Sequence, residues 1–351
     1  MTKNYIEAMY WYEKLIKQPA AKSEWFLYYA EALANNQQYE QSEALYRKYY
    51  ALIPSDKRAA AFSASNANQF NKNIGNWKIG FTNLNSQGSD YSPIYYKDGL
   101  VFTSNRSSKR FARRIFQWDD TPFSNLYTIP TLKEIKIINV DSLMSAAGNK
   151  RDKNYRFNDD DTAPTSNDTK TIGNYNSTLE RDTIALLLEK GLRLSLLKGA
   201  LNSKFHDGSA AIFPDGAIIF TRNNYYKGTT RTSSDGVNKL KMYTVSGPDL
   251  GRITEFPYNS DEYSTGHPAL NKDGTILIFA SDKPGGYGGS DLYYCVRSGN
   301  GQWTRPVNLG KKVNTEGNEL FPFLDKNDHL YFASTGHVGL GGLDIFEVQL
   351  K

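Results

Sequence analysis

One short phrase recurs four times in this chain, and it decides what the chain can fold into. It runs from Pro93 through Asp98-Gly99 to Phe102, from Ala210 through Asp215-Gly216 to Phe220, and from Pro268 through Asp273-Gly274 to Phe279. The fourth copy runs from Pro322 through Asn327-Asp328 to Phe332. Each time, an apolar run meets a turn pair five residues after its first residue, and a second apolar run follows. Asp-Gly between two strand-like runs is a strong hairpin signal, and a two-residue turn of this kind predicts positive φ at both central residues. Four hairpins at long intervals predict a repeat architecture.

Counted from Asp98 through Asp215 and Asp273 to Asn327, the intervals are 117, 58 and 54 residues. The last two fit a propeller blade with a long surface loop. An outer strand is expected before each hairpin, at residues 77–85, 196–202, 253–259 and 303–309. A further strand is expected after each, at 125–127, 241–243, 291–294 and 344–346. Four strands per unit is the blade pattern. The first interval is too long for one blade, so an insertion is placed at about 130–195. Its polar Asn/Asp/Thr-rich stretch (158–176) reads as a loop, and its amphipathic run Leu179–Leu197 reads as a helix. A degenerate extra blade is the alternative reading of the insertion.

Composition excludes several functions. The 42 basic and 37 acidic residues are too evenly balanced for a nucleic-acid surface. The single Cys295 rules out an internal disulfide and a cysteine-built metal site, and its apolar strand context predicts a buried thiol. No apolar stretch is long enough to span a membrane, and no signal peptide is evident. Aromatic residues make up 13% of the chain, 24 of them Tyr, which suits strands and contact surfaces.

Before the hairpins the pattern is helical. Phe26, Tyr29, Ala30 and Leu33 share one helical face. A polar break at 35–38 follows, then a second face of Tyr39, Ser42, Tyr46 and Tyr49, closed by Pro54. Tyr5, Ala8, Tyr12 and Leu15 repeat the second-helix spacing 34 residues earlier, and one more helix is expected within 57–68. The period resembles that of tetratricopeptide repeats, with an ordinary small helical bundle as the alternative. On this reading the chain opens on the second helix of a repeat, as a trimmed or mature fragment would. The fold class expected is thus α+β multidomain, with tetratricopeptide-like helical repeats over 1–70 and a β-propeller of four recognisable blades over 71–351.

Two glycine loops carry a second resemblance. Ser281–Tyr293 contains Gly-Gly-Tyr-Gly-Gly-Ser-Asp291, and Ser334–Phe346 contains Gly-Leu-Gly-Gly-Leu-Asp344. With the segment Asn259–Pro268, they resemble the TolB-like propeller repeats of Bacteroidetes OmpA-family proteins. That family places tetratricopeptide repeats first, then this propeller, a small β domain and a C-terminal peptidoglycan-binding domain. The resemblance covers essentially the whole chain. It implies a non-enzymatic periplasmic scaffold at the outer membrane. It implies envelope-protein partners, type IX secretion components among them, and peptidoglycan contact only through a C-terminal domain that this chain lacks. The family's lipoprotein cysteine is also absent, and its propellers continue past the last unit seen here. Four units would leave a sheet edge open. Either blades are missing, or the insertion helps close the ring, or another chain covers the gap.

Candidate site residues follow from these patterns. The basic-aromatic cluster Lys109, Arg110, Arg113, Arg114 and Trp118 is a candidate partner surface for acidic groups, or else a solvated loop. Tyr287 and His337, in the glycine loops, are candidate partner contacts. Ser142, Thr162 and Thr183 stand in Asp-Ser/Thr-apolar triplets similar to the O-glycosylation motif of exported Bacteroidetes proteins. Asp98, Asp215 and Asp273 are expected to serve turn chemistry, and Asp291 and Asp344 to bond backbone amides. The four histidines (206, 267, 329, 337) lack metal-ligand spacing, and no nucleophile elbow occurs, so no cofactor, metal or catalytic set is expected. Two rivals remain: a glycan- or peptide-binding propeller using its central funnel, and a hydrolase or lyase needing clustered carboxylates with a His.

Overall fold

The computed structural model describes residues 5–64, 80–86, 88–106, 111–112, 115–116, 121–138, 175–176 and 192–350. Four helices lead, α1 (Tyr5–Leu15), α2 (Ser23–Asn35), α3 (Tyr39–Leu52) and α4 (Lys57–Ala64). Phe26, Leu27 and Ala30 of α2 pack on Tyr46 and Tyr49 of α3 and on Phe62. Small residues let the helices approach closely: Ser42 on α3 is buried and donates to the Ala30 carbonyl at 2.7 Å. The polar break turns where Gln37 takes the left-handed backbone region, at φ 62°. The last helix ends at Ala64, within the span expected.

Four antiparallel sheets follow, arranged as a four-blade propeller-like body. In the first, strands run outward in the order Asp90–Tyr96, Gly99–Ser104, Asn125–Ile129, Ser195–Leu196. In the second the order is Asp207–Ile212, Ile218–Asn223, Leu240–Ser246, Arg252–Glu255. The third runs Thr265–Leu270, Ile276–Ser281, Asp291–Val296, Val307–Asn308. The fourth has three strands, Glu319–Leu324, His329–Ser334 and Asp344–Gln349. The recurring hairpin is thus the two inner strands of each blade.

Alternation along the strands builds the interblade cores. Val101 and Leu126 meet Phe220 and Tyr243 between the first and second blades. Ile219 and Met242 meet Leu277, Phe279 and Cys295 between the second and third. Ile278 and Leu292 meet Leu330 and Phe332 between the third and fourth. Cys295 is buried as expected, and burial pushes its thiol up to about 12.

Three expectations are corrected. Three of the outer strands complete the blade before them, not the hairpin after: Ser195–Leu196 pairs with Tyr127 and Thr128, Arg252–Glu255 with Tyr243–Ser246, and Val307–Asn308 with Tyr293 and Tyr294, while Phe81–Thr82 pairs with Ile137–Ile138. Each hairpin turn puts one residue, not two, at positive φ: Lys97 (φ 54°) in the first, a two-residue Lys97-Asp98 turn, and Asp328 (φ 62°) in the fourth. In the second and third, Gly216 (φ 85°) and Gly274 (φ 67°) take it while Asp215 and Asp273 do not. Gly216 N–H bonds the Phe213 carbonyl and Phe213 N–H the Ala217 carbonyl, so the turn is one residue longer than the two-residue type, with glycine at the bulge. The amphipathic run 179–197 ends as strand: cross-strand pairing at Ser195–Leu196 overrides its helical period. Residues 179–191 of that run lie outside the described residues.

Candidate functional site

The innermost strands share a bulge at one equivalent position. Pairing shifts register between Tyr91 and Ile94, Gly208 and Ala210, Gly266 and Ala269, and Leu320 and Phe323. The residues at the bulges are Ser92, Ser209, His267 and Phe321. Three of them hold positive φ (51°, 53° and 50° at Ser92, His267 and Phe321) and precede prolines. Proline has no N–H to give a ladder, so the bulge is where a strand tolerates it. These side chains meet in pairs near the axis. Ser92 and Ser209 share a hydrogen bond of 2.9 Å. His267 stacks on Phe321 with centroids 4.0 Å apart, and Tyr91 meets Phe321 edge-on at 5.7 Å. The imidazole Nδ1 accepts from Phe321 N–H, and burial brings its pKa down to about 4, so it is neutral. These contacts bring side chains from all four innermost strands together near the axis.

Acids head three inner strands, and each is used structurally. Asp90 accepts from Ser86 N–H at 2.6 Å and pairs with Arg106 at 2.7 Å. Asp207 accepts from Ser203 N–H and pairs with Arg222 at 2.5 Å. Glu319 accepts from Thr315 N–H and from the Ser334 hydroxyl. Among the described residues no group of His, Cys, Asp or Glu is placed to hold a metal ion.

A second repeated device lies between blades. One asparagine after each outer strand spans both backbone groups of a single residue on the third strand of the same blade. Asn202 accepts from Leu126 N–H (2.6 Å) and donates to its carbonyl (3.1 Å). Asn259 does the same to Met242 at 3.0 and 2.8 Å, and Asn314 to Leu292 at 2.7 and 2.9 Å. The outer strand adds a backbone donor to each of those carbonyls, from Leu197, Phe256 and Leu309. The sequence around each clip is Leu201-Asn202-Ser203, Tyr258-Asn259-Ser260 and Val313-Asn314-Thr315, shortly before the next inner strand.

The seam between the fourth and first blades departs from this rule, and it is the candidate site. Leu126, Met242 and Leu292 are each 0% exposed. Their counterpart in the fourth blade is Ile345, facing Ala333 as Leu292 faces Ala280, and it is 79% exposed. Among the described residues no outer strand pairs with Asp344–Gln349 and no asparagine clips Ile345. Leu343 (47%), two residues earlier, is exposed too, as is Phe323 (43%) on the innermost strand of the same blade. The matching segment Leu84-Asn85-Ser86 is engaged elsewhere. Phe81–Thr82 pairs with Ile137–Ile138, Asn85 Oδ1 accepts from Thr82 N–H and hydroxyl, and Asn83 clips Lys136 and Glu134. Leu84, Ile135, Leu192 and Leu194 cover the first blade's face on this side, so segments flanking the insertion occupy part of the gap.

The helices occupy another part. In the third blade, Gly288 and Gly289 lie so close to Thr315–Asn318 of the fourth that an added Cβ would come within 2.3–2.6 Å of atoms there. At the equivalent Gly341 and Gly342 an added Cβ would instead come within 2.7 and 2.9 Å of Ala34 and Asn35 at the end of α2. Val338 joins the helical core. The end of α2 thus stands against the fourth blade's glycine loop where a following blade's loop would be.

The predicted site residues separate accordingly. Asp291 and Asp344 bond loop amides as expected, Asp291 those of Tyr287 and Gly288, Asp344 those of Leu340 and Gly341. Burial raises the Asp344 pKa. Asp215 accepts from Ala217 N–H within its own turn. Tyr287 is half exposed at a loop tip. His337 is packed against Phe332 and Phe346, and its Nε2 lies 2.8 Å from the Val313 carbonyl, so it is engaged within the chain. Lys109, Arg110, Arg113, Arg114 and Trp118 lie outside the described residues, as do Ser142, Thr162 and Thr183. Sequence reasoning missed the asparagine clips; the repeated apolar-Asn-Ser/Thr triplet was the available signal.

One cleft of about 490 Å³ opens at the rim between the second and third blades, lined by Phe213, Glu255, Phe256, Tyr258, Arg297 and Trp303 among others. The Arg297 guanidinium lies 4.8 Å from the Phe213 ring centroid and 5.8 Å from that of Trp303.

No family model matches the sequence, and no curated protein matches it. Among solved structures, the Kuenenia stuttgartiensis hydrazine synthase is similar over 75% of this chain and 31% of its own, at 12% identity and a TM-score of 0.40. A Mycobacterium tuberculosis puromycin-hydrolyzing peptidase is similar over 76% and 37%, at 11% and 0.34. A thermostable family-43 glycoside hydrolase is similar over 75% and 72%, at 10% and 0.35. The chain thus spans about a third of the length of the first two. Likeness at this level assigns no activity to the chain.

Proposed function

We propose that this chain is a non-enzymatic scaffold of the bacterial cell envelope that docks protein partners on its propeller and its helices. The observation that carries the reading is the open outer edge of the fourth blade, where Ile345 is 79% exposed and its three counterparts are fully buried. An unpaired strand edge with apolar neighbours is a template for another polypeptide, not for a small metabolite. The helices are read as tetratricopeptide-like, and the glycine loops as those of Bacteroidetes OmpA-family propellers. The specific candidate is a protein of the type of PorE, the peptidoglycan-associated lipoprotein of type IX secretion. Its peptidoglycan contact would lie in a C-terminal domain outside this chain, and its place would be the periplasm at the outer membrane. The test is affinity capture of the full-length tagged protein from its own envelope, followed by mass spectrometry. Type IX secretion components should be recovered well above a propeller-deleted control. Recovery of none of them would reject the assignment.

The rim cleft favours a second reading, a glycan- or peptide-binding module without a secretion role. Phe213, Phe256, Tyr258 and Trp303 offer stacking faces, and Arg297 and Glu255 offer polar contacts. Saturable quenching of tryptophan fluorescence by envelope glycan fragments, lost in Trp303→Ala, would support it over the scaffold.

A further inference from the structure

The geometry points to a defined partner chemistry at the fourth blade: an extended strand from another polypeptide that carries an apolar-Asn-Ser/Thr segment. This rests on the reading of that edge as a docking surface, and it specifies what docks there.

The chain itself supplies the template three times. Leu126, Met242 and Leu292 each turn a backbone N–H and carbonyl away from their own ladder. Each is met by one asparagine side chain and one outer-strand N–H. A primary amide matches this need, because it presents one acceptor and one donor side by side. Ile345 occupies the same register position, opposite Ala333. It therefore turns the same donor and acceptor outward, and among the described residues nothing meets them. Leu343, exposed two residues before Ile345 at the start of this strand, adds apolar surface on which an incoming apolar residue would rest.

The chain's own segment does not serve. Asn85 sits five residues before Asp90, as Asn202 sits before Asp207 and Asn314 before Glu319. Its side-chain oxygen is taken up by Thr82, and the strand before it pairs with Ile137–Ile138. The occupant must bring its own asparagine. Backbone pairing would supply affinity, and the asparagine would set the register, since a slip of one residue turns its side chain to the opposite face.

The probe is a synthetic peptide of residues 301–316 of this chain, which contains Trp303, Val307, Leu309 and Asn314 and covers this very edge in the third blade. It is titrated, fluorescently labelled, into the full chain by anisotropy. A version with Asn314→Ala serves as comparison, and amide exchange is read at Ile345. The expected result is saturable binding, with the alanine peptide weaker by about tenfold, the loss of two hydrogen bonds of ordinary strength, and with slowed exchange at Ile345. A chain with Ile345→Pro lacks the outward N–H and should bind the asparagine peptide no better than the alanine one. Proline is tolerated on an edge strand whose N–H makes no ladder bond. If that variant fails to fold, the exchange reading on the unaltered chain decides. Equal affinity for the two peptides, binding by neither up to ~1 mM, or binding with Ile345 exchange unchanged would overturn the proposal. Peptide binding with failed envelope capture would leave the edge chemistry standing and remove the secretion role. Capture without peptide binding would place the docking elsewhere.

Discussion

His267 holds a positive φ of 53° directly before a proline, a backbone state that non-glycine residues rarely adopt. It persists because the ring is stacked on Phe321 and its own N–H donates to Thr221. Its position has a pH signature. Burial lowers the folded pKa to about 4 from an ordinary value of 6.5. Above pH 6.5 both folded and unfolded chains carry a neutral ring, and the stability is fully present. Between pH 6.5 and 4 the unfolded chain gains a proton that the folded chain refuses, so stability falls with acidification, by at most about 3 kcal/mol. Urea unfolding at pH 7 and pH 4.5 should show this fall, and His267→Gln should reduce it. An identical pH slope in the variant would show that another group carries the effect. That the hairpin turns carry aspartate was legible beforehand, and Asp215 there accepts from Ala217 N–H while Gly216 takes the positive φ. The axial packing was not, because nothing in a strand's alternation says which side chains from four distant hairpins will converge on one axis.

At the scale of elements, the interblade joint is a unit of one outer strand and one asparagine. Its sequence trace is short, and hydrophobic periodicity gives a strand but not its neighbour. Outer strands were therefore expected in the right places and matched to the wrong blade. The joint's energetics are testable by paired substitutions. Asn259→Leu would leave the Met242 N–H buried without a partner, at a cost of about 2–3 kcal/mol. Asn85→Leu, at the equivalent sequence position but bonded among the described residues to Thr82, should cost less than ~1 kcal/mol. Chemical denaturation of the two variants measures both. Equal losses would mean that Asn85 also clips a blade in solution.

At the scale of the whole molecule, the same glycine pair serves two neighbours. Gly288 and Gly289 admit the next blade, while Gly341 and Gly342 admit the end of α2. The resemblance between the two loops was plain in the sequence, but only the fold reveals that one is an interblade contact and the other joins helices to propeller. Gly341→Val would drive its Cβ into Ala34, at a backbone φ of 105° that valine resists, so the helices should loosen from the fourth blade at a cost of about 2 kcal/mol or more. Gly285→Val, with a φ of 89° but open space around it, should bear the backbone strain alone. Amide exchange of α2 and α3 distinguishes the two: it should quicken in the first variant and not in the second.

The packed axis also has a mechanical consequence. The first and fourth blades touch at their innermost strands, Tyr91 against Phe321, while the fourth blade's face toward the first stays bare further out. The pair is thus in contact near the axis, while the outer edge at Ile345 has no partner strand among the described residues. A polypeptide wedged in at the rim would act at the long arm of a lever whose fulcrum is the Tyr91–Phe321 contact, and a small spreading there would press on Ser92 and His267 with greater force than a push applied near the axis.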